Sequence, residues 1–250
     1  MKHRILYAAL MLFALASCSK DKEDEAKNGG RGVEKVVFSR ESGTYSNIAL
    51  PYRKAAIAPS QNGKASLVLY LHGGSSKGSD NTTQLGEKGI DSISSYLVSH
   101  RINSLFLVPQ CPSDKSWGGI MNAVLKSLID DYVARGDADP KRIYIFGGSM
   151  GGSGTWGMVS AYPNLFAAAM SVAGNPSKCD AASVAATPIL TVMGTADEIM
   201  DIDTVADFCN QLALLGNDIQ FEIEDGWTHE TTCTESYTTL RLDWIFSHHK

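Results

Sequence analysis

Apolar positions along the chain fall into short unbroken runs separated by stretches with helical spacing. Ser66 to Leu71 (SLVLYL), Leu105 to Val108, Ile143 to Phe146, Ala167 to Ala173 and Ile189 to Met193 are largely such runs, and Ile219 to Ile223 is a further strand candidate. Each predicts a strand buried on both faces, as in a parallel sheet. Between them the spacing turns helical. One pattern lies around 88–100 and a strongly amphipathic one over 120–135 (Val124, Leu125, Leu128, Ile129, Tyr132), ending at Gly136. Others follow residue 149 (Trp156, Met158, Val159, Tyr162), occupy 203–215 up to Gly216, and close the chain near 234–247. Upstream, Val33 to Arg40 and Thr44 to Leu50 predict two antiparallel strands about a Ser-Gly turn at 42–43. Strand–helix alternation with buried strands predicts the α/β class: a mostly parallel, doubly wound sheet flanked by helices on both faces. Sites on such sheets form at the carboxyl ends of strands.

Composition narrows the picture without changing it. The 250 residues are 44% hydrophobic and 20% charged, with a formal net charge of −5. That suits one α/β domain with a sizeable core, and no basic stripe invites nucleic acid. The first eighteen residues stand apart. Lys2 and Arg4 precede an apolar run, Ile5 to Ala16, too short to span a bilayer, which ends in Leu15-Ala16-Ser17-Cys18. This resembles the lipobox of bacterial lipoproteins, which implies cleavage before Cys18 and a lipid on that cysteine. The tract Ser19 to Glu25 is similar to the lysine-and-acid signals that send some lipoproteins of Gram-negative bacteria to the surface, although a solvated tether has the same composition. The expected organisation is therefore a signal over 1–18, a polar linker over 19–32 and a single domain over 33–250. The expected location is outside the cytoplasm, at the outer membrane or cell surface, with the lipid as the only membrane contact. Cys111, Cys179, Cys209 and Cys233 remain; export permits disulfides, but their spacing matches no metal site and defines no pairing. No cofactor is expected.

The chemistry centres on residues 139–157, DPKRIYIFGGSMGGSGTWG. An apolar strand runs into Gly147-Gly148-Ser149-Met150-Gly151, which fits the G-x-S-x-G nucleophile elbow, and a helical pattern follows. The glycines two positions either side of Ser149 remove Cβ atoms that would collide where strand and helix crowd together. The next backbone N–H, of Met150, is thereby aimed at a developing oxyanion. Ser153 is the near competitor, but Thr155 stands where its second glycine is needed.

Three further strand ends carry candidate groups. Leu71-His72-Gly73-Gly74-Ser75-Ser76 matches an oxyanion loop, with the N–H of Gly74, or else of Ser75, as second donor and His72 as a residue holding the loop. Val192 to Glu198 runs a strand into G-x-x-D and sets Asp197 just past its end, suited to orient an imidazole. Asp180 is the fallback one strand earlier; Glu198, Asp201 and Asp203 are placed less well. Gly226-Trp227-Thr228-His229 puts His229 in the loop after the last strand, completing the order Ser…Asp…His.

With these residues in place the chain resembles the α/β-hydrolase superfamily over nearly all of 33–250. Within it, the likeness is to secreted esterases of the polyhydroxybutyrate-depolymerase and feruloyl or acetylxylan esterase type. It is carried by LYLHGGSSKGSDN (69–81), FLVPQCPSDKSW (106–117), the elbow segment, YPNLFAAAMSVAG (162–174) and GTADEIM (194–200). The resemblance implies a serine hydrolase cleaving carboxylic esters through an acyl-enzyme, with an ester substrate borne on carbohydrate and no separate lid domain. Met193 and Trp227-Thr228 depart from the family pattern beside the acid and the histidine. Trp117 and Trp227 are candidate pocket walls, Trp156 a core residue. A serine peptidase related to prolyl oligopeptidase and a non-catalytic carbohydrate-binding protein on the same scaffold are the alternatives.

Overall fold

The computed structural model describes residues 36–60 and 63–250. The signal with Cys18 and the linker expected at 19–32 lie outside the described residues. In chain order the elements are β1 (Ser39–Tyr45), β2 (Ile48–Ile57), β3 (Ala65–Leu71), α1 (Lys88–Ser99), β4 (Ser104–Pro109), α2 (Ile120–Ala134), β5 (Ala138–Gly148) and α3 (Met150–Ala161). Then follow β6 (Ala168–Val172), α4 (Ala181–Val184), β7 (Ile189–Ala196), α5 (Ile202–Leu214), β8 (Ile219–Thr228), α6 (His229–Glu235) and α7 (Thr239–Ser247).

One sheet takes all the strands in the order β1-β2-β4-β3-β5-β6-β7-β8. β1 and β2 are antiparallel, β2 is antiparallel to β4, and every pair from β4 across to β8 is parallel. Side chains alternate across it, as a period of two requires. Leu67, Leu69, Leu71, Ile143 and Ile145 face the layer of α2, α3 and α5, around fully buried Trp156. Val68, Tyr70, Tyr144 and Phe146 face the layer of α1 and α7, against Ile93, Leu97 and Ile245. Because both faces of β3 to β7 are covered, those strands read as largely continuous apolar runs, whereas the edge strand β8 has no buried residue and alternates.

The order places the site. From β3 the chain crosses to β4 through α1 on one face; from β5 it crosses to β6 through α3 on the other. The carboxyl ends of β3 and β5 therefore sit side by side, paired at Leu71 and Gly147, with their connections diverging into a crevice.

Three expectations about elements change. The first hairpin turns at Ser46-Asn47, with φ of 48° and 62°, not at Ser42-Gly43. Both turn residues are left-handed, the conformation that matches strand twist and that asparagine tolerates. Gly43 instead lies within β1 and leaves room for the Tyr45 ring, 2.6 Å from where a Cβ would stand. β8 continues five residues past Ile223, to Thr228. The final helical pattern is two helices, because Thr228 and Thr238 each cap a new N-terminus through their hydroxyls. His229 is accordingly the first residue of a helix, not part of a loop.

Candidate active site

The site begins with the elbow. Ser149 has φ 57° and ψ −120°, a conformation an L-residue holds only under constraint, at a cost of about 1–3 kcal/mol. Its N–H donates to Val172 O (2.9 Å) and its carbonyl accepts from Ser153 N–H (3.0 Å), so the turn is fixed on both sides. A Cβ on Gly147 would stand 2.3 Å from Gly151 O, and one on Gly151 would stand 1.8 Å from Leu71 O. Neither contact is possible for any other residue. The two glycines exist so that α3 can cross directly over the ends of β3 and β5.

His229 reaches the elbow from the far side of the sheet. Its Nε2 lies 2.8 Å from Ser149 Oγ and its Nδ1 lies 2.8 Å from Asp197 Oδ2. The other Asp197 oxygen accepts the N–H groups of Ile199 and Met200, both at 2.9 Å. That side chain is fully buried and the imidazole 16% exposed. A carboxylate held by two amides is turned to one face, which places the proton of neutral His229 on Nδ1 and leaves Nε2 to accept from serine. Gly194 makes the approach of the histidine segment possible: a Cβ there would meet Trp227 O at 2.1 Å. The arrangement can move a proton from Ser149 to His229 and hold the resulting imidazolium against Asp197.

The loop after β3 lies against the serine. Gly73 is so near that a Cβ on it would stand 3.7 Å from Ser149 Cβ. Gly74 opens a short 3-10 turn and lines the cleft together with Ser149 and Met150, whereas Ser75 is not among the lining residues. Met150 opens α3, so its N–H has no acceptor within the helix. His72 is fully buried. Its Nε2 accepts from Cys111 N–H (2.9 Å), its Nδ1 faces Gly73 O (2.7 Å), and its carbonyl accepts from Trp117 Nε1 (3.0 Å).

Burial strips water from His72 and lowers its pKa from the ordinary 6.5 to about 4. The unfolded chain protonates this group between those values and the folded chain does not, so stability falls as pH drops from about 6.5 to about 4. By pH 4.5 the loss is roughly 2 kcal/mol. Urea unfolding of the parent and of His72→Gln at pH 7.5 and 4.5 checks this. The variant is expected to be less stable at pH 7.5, with the gap narrowing by that amount at pH 4.5; an unchanged gap would refute it.

Beside the serine opens a cleft of about 620 Å³. Trp117 walls it, alongside Ser116, Asn122, Ser153, Asn175 and Met200. Trp227 does not line it. Since β8 runs through that residue, the strand fixes its ring beside the Arg241 guanidinium, 5.9 Å away. The Oγ of Ser153, the near competitor, accepts from Asn175 N–H at 2.9 Å, and it is the Oγ of Ser149 that meets His229. Asp180 and Asp201 cap α4 and α5, each accepting from the amide three residues on, while Glu198 and Asp203 are solvent-exposed. Cys111, Cys179, Cys209 and Cys233 are all free thiols. Cys233 Sγ lies 4.0 Å from His229 Nε2, but burial, aided by the carboxylates of Glu87 and Asp197, pushes it up to about 12 and keeps it neutral. Among the described residues no cluster of three or more His, Cys, Asp or Glu could hold a metal ion, and no helix is long and apolar enough to cross a membrane.

Sequence reasoning missed Asn122 and Asn175, which belong to loop ends and helix faces with no local signature. The one available signal was Gly118-Gly119, both left-handed, which ends the segment after β4 at the cleft.

The chain is similar to several known proteins. The dienelactone hydrolase family model matches residues 113–239, about half of the chain. A thermostable esterase of known structure superposes with a TM-score of 0.76 at 25% identity over 85% of this chain. The acylaminoacyl peptidase of Pyrococcus horikoshii superposes at 0.62 with 15% identity, also over 85% of the chain, a likeness of fold alone. Poly(3-hydroxyalkanoate) depolymerase C of Paucimonas lemoignei is 37% identical over 68 residues, 27% of this chain. The chain spans 63% of the esterase, 41% of the peptidase and 16% of the depolymerase.

Proposed function

Because the chain belongs to the dienelactone hydrolase family, we propose that it is a serine hydrolase that cleaves carboxylic esters through an acyl-enzyme. One observation carries this: the unbroken relay from Ser149 Oγ through His229 to Asp197, with both links at 2.8 Å, opening on a cleft. Ser149 Oγ attacks the acyl carbonyl while His229 Nε2 takes its proton, and Asp197 stabilises the imidazolium. The N–H groups of Met150 and Gly74 receive the oxyanion. Collapse of the tetrahedral adduct expels the alcohol, which leaves with the proton from His229. Water, deprotonated in turn by His229, releases the acid and restores the serine.

The cleft supports a polar alcohol portion, and hence an ester borne on carbohydrate. Six of its lining side chains, Ser116, Asn122, Ser153, Ser160, Asn175 and Ser177, offer hydroxyl or amide groups. The test is a panel on the protein lacking residues 1–18, the expected signal. It comprises p-nitrophenyl acetate and butyrate, methyl ferulate, acetylated xylan and an aminoacyl p-nitroanilide. Release of acid from the esters and from xylan, with the anilide untouched, is the expected result. Anilide cleavage outpacing every ester would replace the esterase reading with the peptidase one, and inertness towards all five would leave a binding protein.

A further inference from the structure

The oxyanion loop is held by a residue that no sequence motif marks. Glu87 ends the connection before α1, and its carbonyl starts that helix, accepting from Ile90 N–H at 3.1 Å. Its carboxylate does not cap the helix. It turns the other way, and one oxygen, Oε1, accepts both Gly73 N–H (3.0 Å) and Ser76 Oγ–H (2.8 Å). Gly73 thus lies between this oxygen and the nucleophile: a Cβ on it would stand 3.5 Å from Glu87 Oε1 and 3.7 Å from Ser149 Cβ.

Backbone geometry gives the clamp its consequence. Gly73 is extended, with φ −71° and ψ 174°. In extended chain, successive N–H groups point in different directions. Glu87 thus takes the N–H of Gly73, and the next residue, Gly74, is the one that lines the cleft with Ser149 and Met150. The rest of the loop is tied as well. Gly73 O accepts from Ser76 N–H at 3.3 Å, and Ser76 O accepts from Gln110 Nε2 at 3.2 Å. The carbonyls on either side are held too, His72 O by Trp117 Nε1 and Gly73 O beside His72 Nδ1, while Glu87 supplies the bond to the Gly73 amide itself.

We propose that Glu87 is a positioning residue for the oxyanion site, holding the Gly73 amide so that the Gly74 N–H faces the carbonyl attacked by Ser149. The inference rests on the esterase reading above and adds a residue to it. A misaligned donor acts like a missing one, and loss of one oxyanion donor lowers kcat by about 10²–10³-fold. Because Gly74 is loosened rather than removed, Glu87→Ala is expected to lower kcat on p-nitrophenyl butyrate by roughly 10–100-fold, with KM within about threefold. Affinity for a trifluoromethyl ketone, whose serine adduct carries the oxyanion, should weaken in parallel. Glu87→Gln keeps an oxygen able to accept both hydrogen bonds and should stay within about threefold of the parent.

Rates are to be expressed per site titrated with a fluorophosphonate, so that a merely less stable fold does not register. The inference is overturned if Glu87→Ala keeps the parent kcat per titrated site, if the ketone binds it unchanged, or if Glu87→Gln falls as far as Glu87→Ala. A parent that hydrolyses no ester would instead overturn the proposed function, and this inference with it. The parent's own rate reports on the reading and the variant ratios report on the clamp.

Discussion

Replacing Ser149 with alanine is expected to lower kcat on an activated ester by roughly 10⁵-fold and to abolish fluorophosphonate labelling, while the fold and its melting temperature persist. The size follows from the geometry. Among the described residues the hydroxyl that meets His229 Nε2 is Ser149 Oγ, at 2.8 Å, and Ser153, four residues on, accepts from Asn175 N–H. The neighbouring thiol, Cys233, is held neutral by burial and is no substitute nucleophile. His229→Ala should match the serine variant to within an order of magnitude, since residues of one relay act as a unit and their losses do not add. Labelling of Ser149→Ala at the parent level would show that another nucleophile carries the chemistry. The variant also relieves nothing in the backbone, because alanine at φ 57° is as constrained as serine; an unchanged fold is therefore the expected background for the kinetic loss.

The second large effect is on stability. Gly151→Ala inserts a methyl carbon 1.8 Å from Leu71 O, with Leu71 C at 2.5 Å and His72 O at 2.9 Å. These are backbone atoms of β3 and of the oxyanion loop, so no side chain can swing aside. α3 must lift from the sheet, and the fully buried Trp156 it carries loses its packing. We expect a loss of at least about 4 kcal/mol, a fall of roughly 10 °C in melting temperature, or no soluble protein. Gly157→Ala, on the same helix, is the control. Its nearest new contact is the Asn122 side chain at 3.7 Å, an ordinary distance, so alanine's helix preference should stabilise by about 0.5–1 kcal/mol. Calorimetry of the pair decides the matter: similar melting temperatures would refute the steric account of the elbow.

The dienelactone hydrolase match and the esterase neighbour agree with the α/β-hydrolase resemblance, while the finer likeness to feruloyl and acetylxylan esterases stays within the proposal tested by the ester panel. Much else was legible because local chemistry left local marks. Continuous apolar runs announced strands covered on both faces. The two glycines around Ser149 announced a turn where backbone atoms touch. Where a residue's purpose was non-local, the sequence misled. Gly43 read as a turn residue although its role is to admit the Tyr45 ring, and the turn fell to Ser46-Asn47. Trp227 read as a wall of the site, whereas the length of β8 carries its ring to Arg241.

What the sequence by itself determined is the strand pattern, the elbow and the candidates Ser149, Asp197 and His229, because each is marked by residues within a few positions of it. Tertiary structure alone decided the rest. Strand order set the ends of β3 and β5 side by side. Close approach at Gly194 brought His229 within 2.8 Å of both its partners. Glu87 met Gly73 across fourteen residues of chain. Such contacts are made by packing between elements distant in sequence, and no periodicity or motif encodes the distance at which two of them will meet.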